Sequence, residues 1–102
     1  MPQQVRSIDF YLRRLAVACS YSNEKYTAQL IRLLDLLIEG RFDEAEQAAE
    51  NLAEPLAKFD LSESVESVIS TLKSGESSER AKVRDWLGRI RLTLKRRLLD
   101  EG

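Results

Sequence analysis

The basic side chains near the end of the chain are the residues whose type and spacing most directly indicate chemistry. Residues 80–97 hold eight arginine and lysine side chains and one acid, Asp85, although the net charge of the whole chain is −1. Cations at this density can pair with the phosphates of a nucleic acid or with the carboxylates of a protein. The segment therefore predicts a binding surface for a negatively charged partner.

An acidic segment of opposite charge lies earlier in the chain. Residues 39–66 hold nine acids and two bases, a net charge of −7, against +7 for residues 80–97. If the C-terminal helix packs on the third or fourth helix, the two sets of charges pair, and each exposed pair adds only ~0–1 kcal/mol of stability. We favour this packing, and we expect at least one row of bases to remain for solvent or a partner.

Residue types that catalyse reactions or bind metals are scarce. The chain has no histidine and a single cysteine, Cys19, so it lacks an imidazole base and a cysteine and histidine set for zinc. Its four glycines are scattered, which excludes a glycine-rich phosphate loop. We interpret Asp43, Glu46 and Glu50 as helix caps and solvated side chains. The sequence therefore predicts a protein that is not an enzyme and that has no cofactor and no metal.

The cysteine content and the hydropathy pattern bear on where the protein acts. A single thiol on an apolar helix face fits a reducing compartment, for which the cytoplasm is the default. Arg32, Asp35 and Glu39 interrupt the most apolar segment, which is therefore too polar to span a membrane. The sequence predicts a cytoplasmic protein with no membrane partner.

Helices must position these charges, because apolar residues recur at helical spacing through most of the chain. A length of 102 residues, 43% of them hydrophobic, with few glycines and prolines, is typical of one helical domain. The predicted helices span residues 4–20, 24–39, 43–58 with a kink near residue 55, 61–73 and 78–99. Short connections make sequential helices antiparallel neighbours. The predicted fold is all-α: residues 1–102 form a single compact bundle of four to five antiparallel helices with a long basic C-terminal helix.

Local signals set several of these helix boundaries. Gly40 ends the second helix as a left-handed cap would, and Asp43 with Glu46 predicts an N-cap for the third helix, preceded by the hydrophobic staple Phe42. Pro55 lacks the N–H that would bond back along the third helix, so that helix should kink or stop nearby. The second helix is apolar over most of its circumference, and we expect it to be the central one.

Residues 33–53, LLDLLIEGRFDEAEQAAENLA, resemble the helical hairpin of a tetratricopeptide repeat. The matching features are an apolar first helix, Gly40, Phe42 at the turn, the triplet DEA, and alanines where two helices approach closely. The resemblance implies stacking of such hairpins into a surface that binds peptides, and an array needs about three units. No second copy follows at an offset of ~34 residues. We therefore interpret the segment as a single tightly packed hairpin.

On a helical wheel, the C-terminal helix separates its apolar side chains from its basic ones. Its apolar seam consists of Val83, Trp86, Leu87, Ile90, Leu94 and Leu98. The basic side chains that we expect to contact a partner are Arg84, Arg89, Arg91, Lys95 and Arg96. If the bundle leaves the seam uncovered, it offers an alternative interface for a partner helix or for a homodimer.

These features predict a small protein-interaction module, such as an adaptor, a regulator or an inhibitor subunit, which presents charged helical surfaces and the C-terminal helix to a protein partner. The alternative is a nucleic-acid-binding protein, or an accessory protein of a nucleoprotein complex, that uses the same helix. A sequence pI near 5.5 and the acidic segment weigh against nucleic acid. The only aromatic residue of that helix, Trp86, is interpreted as part of the core rather than as a platform for base stacking.

Overall fold

The computed structural model describes residues 7–21, 24–54, 56–57 and 61–101, and all regular structure within these ranges is helical. Its five α-helices are α1 (Ile8–Tyr21), α2 (Glu24–Glu39), α3 (Phe42–Ala53), α4 (Leu61–Ser74) and α5 (Ser77–Glu101). They pack into a bundle with extents of 48 × 26 × 22 Å. The prediction of an all-α helical bundle is confirmed.

Most helix boundaries lie within a few residues of the predicted ones. The helix α2 begins and ends where we predicted, and α5, with 25 residues, is about 37 Å long. The helix α3 ends at Ala53, short of residue 58 but close to the point before Pro55 where we expected it to kink or stop. The next described residues form a turn that brings Leu56 N–H to the carbonyl of Leu52 at 3.0 Å. The predicted start of the first helix near residue 4 and the predicted kink near residue 55 lie outside the described residues.

The turn between α2 and α3 is set by Gly40, which has a φ of 80°. Its N–H donates to the carbonyl of Leu37 at 3.2 Å, and the N–H of Arg41 donates to the carbonyl of Leu36 at 2.9 Å. These two bonds form a Schellman motif, which requires a left-handed residue that glycine adopts without a steric penalty. The predicted left-handed cap is confirmed.

The prediction of Asp43 as the N-cap of α3 is wrong, because the cap residue is Arg41. No side chain bonds to the free N–H groups there, but the carbonyl of Arg41 accepts the N–H of Ala45 at 3.0 Å. Phe42 is half-buried against the core, so the helix starts at this residue and places Asp43 in its first turn.

The helices do not all pair in the order of the sequence. Among the described residues, α1 packs mainly on α4, and α2 packs mainly on α5 and α3. The pairs α2 with α3 and α3 with α4 are neighbours as expected, whereas α1 and α2 share little contact. Although α2 contributes many core side chains, α4 and α5 each pack on three helices, so α2 is not the centre of the bundle.

Candidate interaction surface

The apolar seam of α5 is largely inside the bundle. Four of its six side chains are buried in the core, namely Val83, Leu87, Ile90 and Leu94. Trp86 packs against that core with partial exposure, and Leu98 alone is well exposed. The seam that we considered as an interface for a partner helix or a second copy therefore packs on the chain's own helices α1, α2 and α4.

Basic residues beside the seam attach α5 to its neighbours. The guanidinium of Arg91 pairs with the carboxylate of Asp35 on α2, and Lys82 Nζ lies 3.3 Å from the carboxylate of Asp9 on α1. Arg97 Nη1 donates to the carbonyl oxygen of Cys19 at 2.8 Å, near the C-terminal end of α1. The bases at the edges of the seam therefore bind groups on α1 and α2 within the bundle.

The helix α5 packs on α4, one of the two neighbours that we expected, but the expected charge pairing is wrong for the described part of the chain, where no ion pair joins α5 to α3 or α4. The most extensive contact of α5 is with α2, because its apolar seam meets the broad apolar face of that helix. Glu46, Glu50 and Glu66 line a groove of about 150 Å³ between α3 and α4. The acidic and basic surfaces consequently remain separate.

Four of the five bases that we predicted to contact a partner are exposed, namely Arg84, Arg89, Lys95 and Arg96. Arg89 Nε lies 3.1 Å from a carboxylate oxygen of Asp85, one turn earlier on the same helix. The other three have no ion pair or hydrogen bond with any described residue. Arg91, the fifth, is half-buried in its pair with Asp35. The structure therefore brings together four exposed cations along the outside of α5.

Two exposed leucines lie among these cations, and the sequence reasoning missed them. Leu92 retains 50% and Leu99 80% of its exposed area. At about 100° per residue, Leu92 is opposite Val83 on the helix, and Leu99 follows Leu92 by two turns. That spacing of seven on the side away from the seam is the signal that could have found them. We call Arg84, Gly88, Arg89, Leu92, Lys95, Arg96 and Leu99 the outer face of α5.

A second, apolar groove of about 200 Å³ lies between α1 and the C-terminal half of α5. Its lining includes Ala16, Cys19, Ile90 and Leu94, with Arg97 at its edge. Burial raises the pKa of the Cys19 thiol to about 12, although the nearby Arg97 acts in the opposite direction. The thiol is therefore protonated at neutral pH and is a poor nucleophile there.

The described residues lack both a metal-binding cluster and a membrane-spanning helix. They contain no group of three or more cysteine, aspartate or glutamate side chains arranged to hold a metal ion. Within the same ranges, each helix is either too short or too polar to cross a membrane. Comparison of the chain with models of protein families, with curated proteins and with solved structures gives no significant match.

Proposed function

We propose that this protein is a small, non-enzymatic, cytoplasmic interaction module, such as an adaptor, a regulator or an inhibitor subunit, which binds a protein partner through the outer face of α5. The observation that carries the proposal is the exposure of Leu92 and Leu99 between cations that have few partners among the described residues. The absence of histidine from the sequence and the burial of Cys19 support a role without catalysis.

The leucines favour a protein over other partners. Burying an exposed leucine stabilises a complex by roughly 1.5–3 kcal/mol, and this gain needs an apolar counterpart. A protein surface supplies such a counterpart, whereas a phosphate backbone does not. Arg84, Arg89, Lys95 and Arg96 would then steer the encounter and select an acidic partner.

Nucleic acid binding is the second candidate, and the same four cations favour it. Arg84 and Lys95 lie on one side of the leucine pair, and Arg89 and Arg96 lie on the other. Two basic rows can contact two phosphate strands, but no aromatic side chain is available on this face for stacking on bases. Trp86 packs against the core instead.

The function is tested by affinity capture of the tagged protein from a nuclease-treated lysate of its native host. We expect the wild type to retain one protein in stoichiometric amount, and the double variant Leu92→Gln, Leu99→Gln to lose it. Ile38→Gln on α2, which changes a comparably exposed apolar side chain outside the outer face, is the matched control and should retain the partner. Capture that is equal for all three proteins, or no stoichiometric protein at all, contradicts the proposal.

The nucleic acid candidate has its own test. A mobility shift with duplex DNA or RNA at ~50 mM salt, abolished by charge reversal of Arg89, Lys95 and Arg96 to glutamate, would favour it, because phosphate contacts weaken steeply as salt rises. Absence of any shift at that salt concentration excludes it. If the Leu92→Gln, Leu99→Gln variant binds the nucleic acid as well as the wild type does, the leucines do not contribute and the bases alone contact the phosphates.

A further inference from the structure

We propose that the partner segment recognised by the outer face of α5 is an acidic amphipathic helix, which packs its apolar side chains on Leu92 and Leu99 and pairs its carboxylates with the flanking bases. This inference rests on the proposed function and adds the chemistry of the partner. It follows from three properties of the outer face: the spacing of its leucines, the space around Gly88, and the sign of its charges.

The leucines and the glycine define a line along which a second helix can lie. Leu92 and Leu99 are seven residues apart, so they face the same direction about 10.5 Å apart along the helix axis. Gly88 is one turn before Leu92 on the same side, and a Cβ placed on it would have no atom within 4 Å. Repeats of seven residues are the spacing at which two helices interlock. The partner helix can therefore approach closely at Gly88 and cover the two leucines.

The bases on either side of this line specify the charge of the partner. Arg84 and Lys95 are on one flank, and Arg89 and Arg96 are on the other. Residues that flank the apolar contact between two packed helices pair across it and decide which partner is accepted. A helix with glutamate or aspartate on both flanks matches all four positions, whereas a basic helix would place like charges together.

A second copy of the chain is a poor occupant of this surface. Two outer faces in contact would bring the same four bases of each copy together. The described acids beside these bases are Asp85, which already pairs with Arg89, and Asp100, one turn after Arg96, so the repulsion would exceed the attraction. The acidic surface of α3 and α4 in another copy has complementary charge, but neither helix has a large exposed apolar side chain among its described residues. Leu92 and Leu99 would therefore find no apolar counterpart there.

A lipid surface fits less well than a protein helix. Helices that lie in a membrane interface bury a broad apolar face that commonly includes tryptophan or phenylalanine. The outer face has two leucines separated by two turns, and Trp86 is partly buried on the other side of α5. The narrow apolar line matches the ridge of another helix.

The experiment uses the full chain and a fluorescein-labelled helical peptide of about three heptads, with leucine at the two core positions and glutamate at the flanking positions. Fluorescence anisotropy at ~50 mM salt should show saturable binding that weakens at ~500 mM salt. The Leu92→Gln, Leu99→Gln variant should bind more weakly by at least about tenfold, because it loses two apolar contacts and one leucine contact alone contributes roughly 1.5 kcal/mol or more. Arg89→Gln, Arg96→Gln should weaken binding and reduce its salt dependence, while Ile38→Gln should bind as the wild type does.

Two control peptides test whether binding depends on the charge of the peptide and on the positions of its leucines. A peptide with lysine in place of glutamate, and a peptide of the same composition with its leucines scattered around the helix, should not bind. Equal binding of the scattered peptide would overturn the inference, since charge alone would then suffice. Tighter, leucine-dependent binding to phosphatidylserine vesicles or to duplex DNA would also overturn it, as would self-association in sedimentation that the leucine variant abolishes.

Failure of this inference can be distinguished from failure of the proposed function. If the acidic peptide does not bind at ~1 mM, while the lysate yields a partner that depends on Leu92 and Leu99, the outer face binds a protein but not a helix of this kind. If neither the peptide nor any lysate protein binds, both proposals are wrong. Circular dichroism of every variant should match the wild type, because all substituted side chains are exposed.

Discussion

Arg91 on α5 pairs with Asp35 on α2, and each of these side chains keeps about a third of its area exposed (34%). Both residues belong to segments where they look like ordinary surface charges: Asp35 interrupts an apolar run, and Arg91 is one of eight bases in residues 80–97. Their contact lies beside the interface between α2 and α5, which is the most extensive interface that α5 makes. It shows that part of the basic charge of α5 is used to hold that helix in place.

We predict that the pair of Asp35 and Arg91 contributes a coupling energy of about 1 kcal/mol to the free energy of unfolding. This value lies at the upper end for exposed pairs, because partial burial weakens solvent screening. A double-mutant cycle with Asp35→Ala and Arg91→Ala, measured by urea unfolding, gives the coupling directly. The more exposed pair of Asp85 and Arg89 is the control, with an expected coupling of about 0.3–0.5 kcal/mol. Equal couplings for the two pairs would contradict the prediction.

Arg97 attaches the C-terminal half of α5 to the end of α1, and its removal should destabilise the protein. Arg97→Met keeps an unbranched side chain but loses the hydrogen bond to the carbonyl of Cys19, a charge-assisted bond that contributes roughly 1.5–3 kcal/mol. We expect a lower midpoint of thermal unfolding, followed by circular dichroism at 222 nm. Arg96→Met, at an exposed site with no ion pair or hydrogen bond to a described residue, should change stability by less than about 0.5 kcal/mol. A similar loss in both variants would argue against the bond.

Cys19 should make the protein less stable at alkaline pH. Burial raises the thiol pKa from 9.0 to about 12 in the folded protein, so the thiol ionises more readily when the chain is unfolded. The stability that this group contributes is fully present below pH 9 and is lost as the pH rises from about 9 towards 12, by up to ~1.4 kcal/mol per pH unit.

The measurement is the free energy of unfolding of the wild type and of Cys19→Ala between pH 7 and about 10.5. The difference between the two proteins should be constant up to about pH 9 and should then shift in favour of the alanine variant, which has no thiol to ionise. A difference that stays constant over the whole range would show that the thiol titrates normally. The native thiol should also react slowly with a disulfide reagent until denaturant is added, because it is buried.

Gly88 should be replaceable by alanine with a gain in stability. It lies inside α5, where glycine costs roughly 0.5–1 kcal/mol relative to alanine, and a Cβ there would meet no atom within 4 Å. Chemical unfolding should show that Gly88→Ala is more stable by about this amount. Gly40→Ala is the matched comparison and should be less stable, because φ at Gly40 is +80°. A destabilised Gly88→Ala protein would indicate a close contact at this site in the free protein.

The secondary structure could be predicted closely because its causes are local. The 3.6-residue recurrence of apolar side chains and the left-handed glycine act within a few positions of one another, and α2 matches its predicted range. The N-cap of α3 was the exception, because we predicted Asp43 and the structure has Arg41. Phe42 packs on the core as the first residue of the helix, and this tertiary contact outweighs the capping preference of Asp43.

The candidate surface could be predicted in part. The sequence placed the cations on α5, and four of the five that we named are exposed. The sequence did not show that Arg91 would form an ion pair with Asp35, nor that Leu92 and Leu99 would be exposed to solvent. Both outcomes depend on which helices pack on α5. The grouping of those two leucines with Arg89 and Arg96 follows only from the packed structure.

The sequence by itself determined that the chain is helical, where most of its helices begin and end, and which face of α5 is apolar enough to be buried. Only the tertiary structure decided that α5 packs on α2 rather than beside the acids of α3, and that α1 packs on α4. The physical reason is that apolar burial is strong but has no direction, so many pairings of amphipathic helices satisfy it. Exposed ion pairs have direction but contribute only ~0–1 kcal/mol each, which is too little to choose a pairing against the fit of the core.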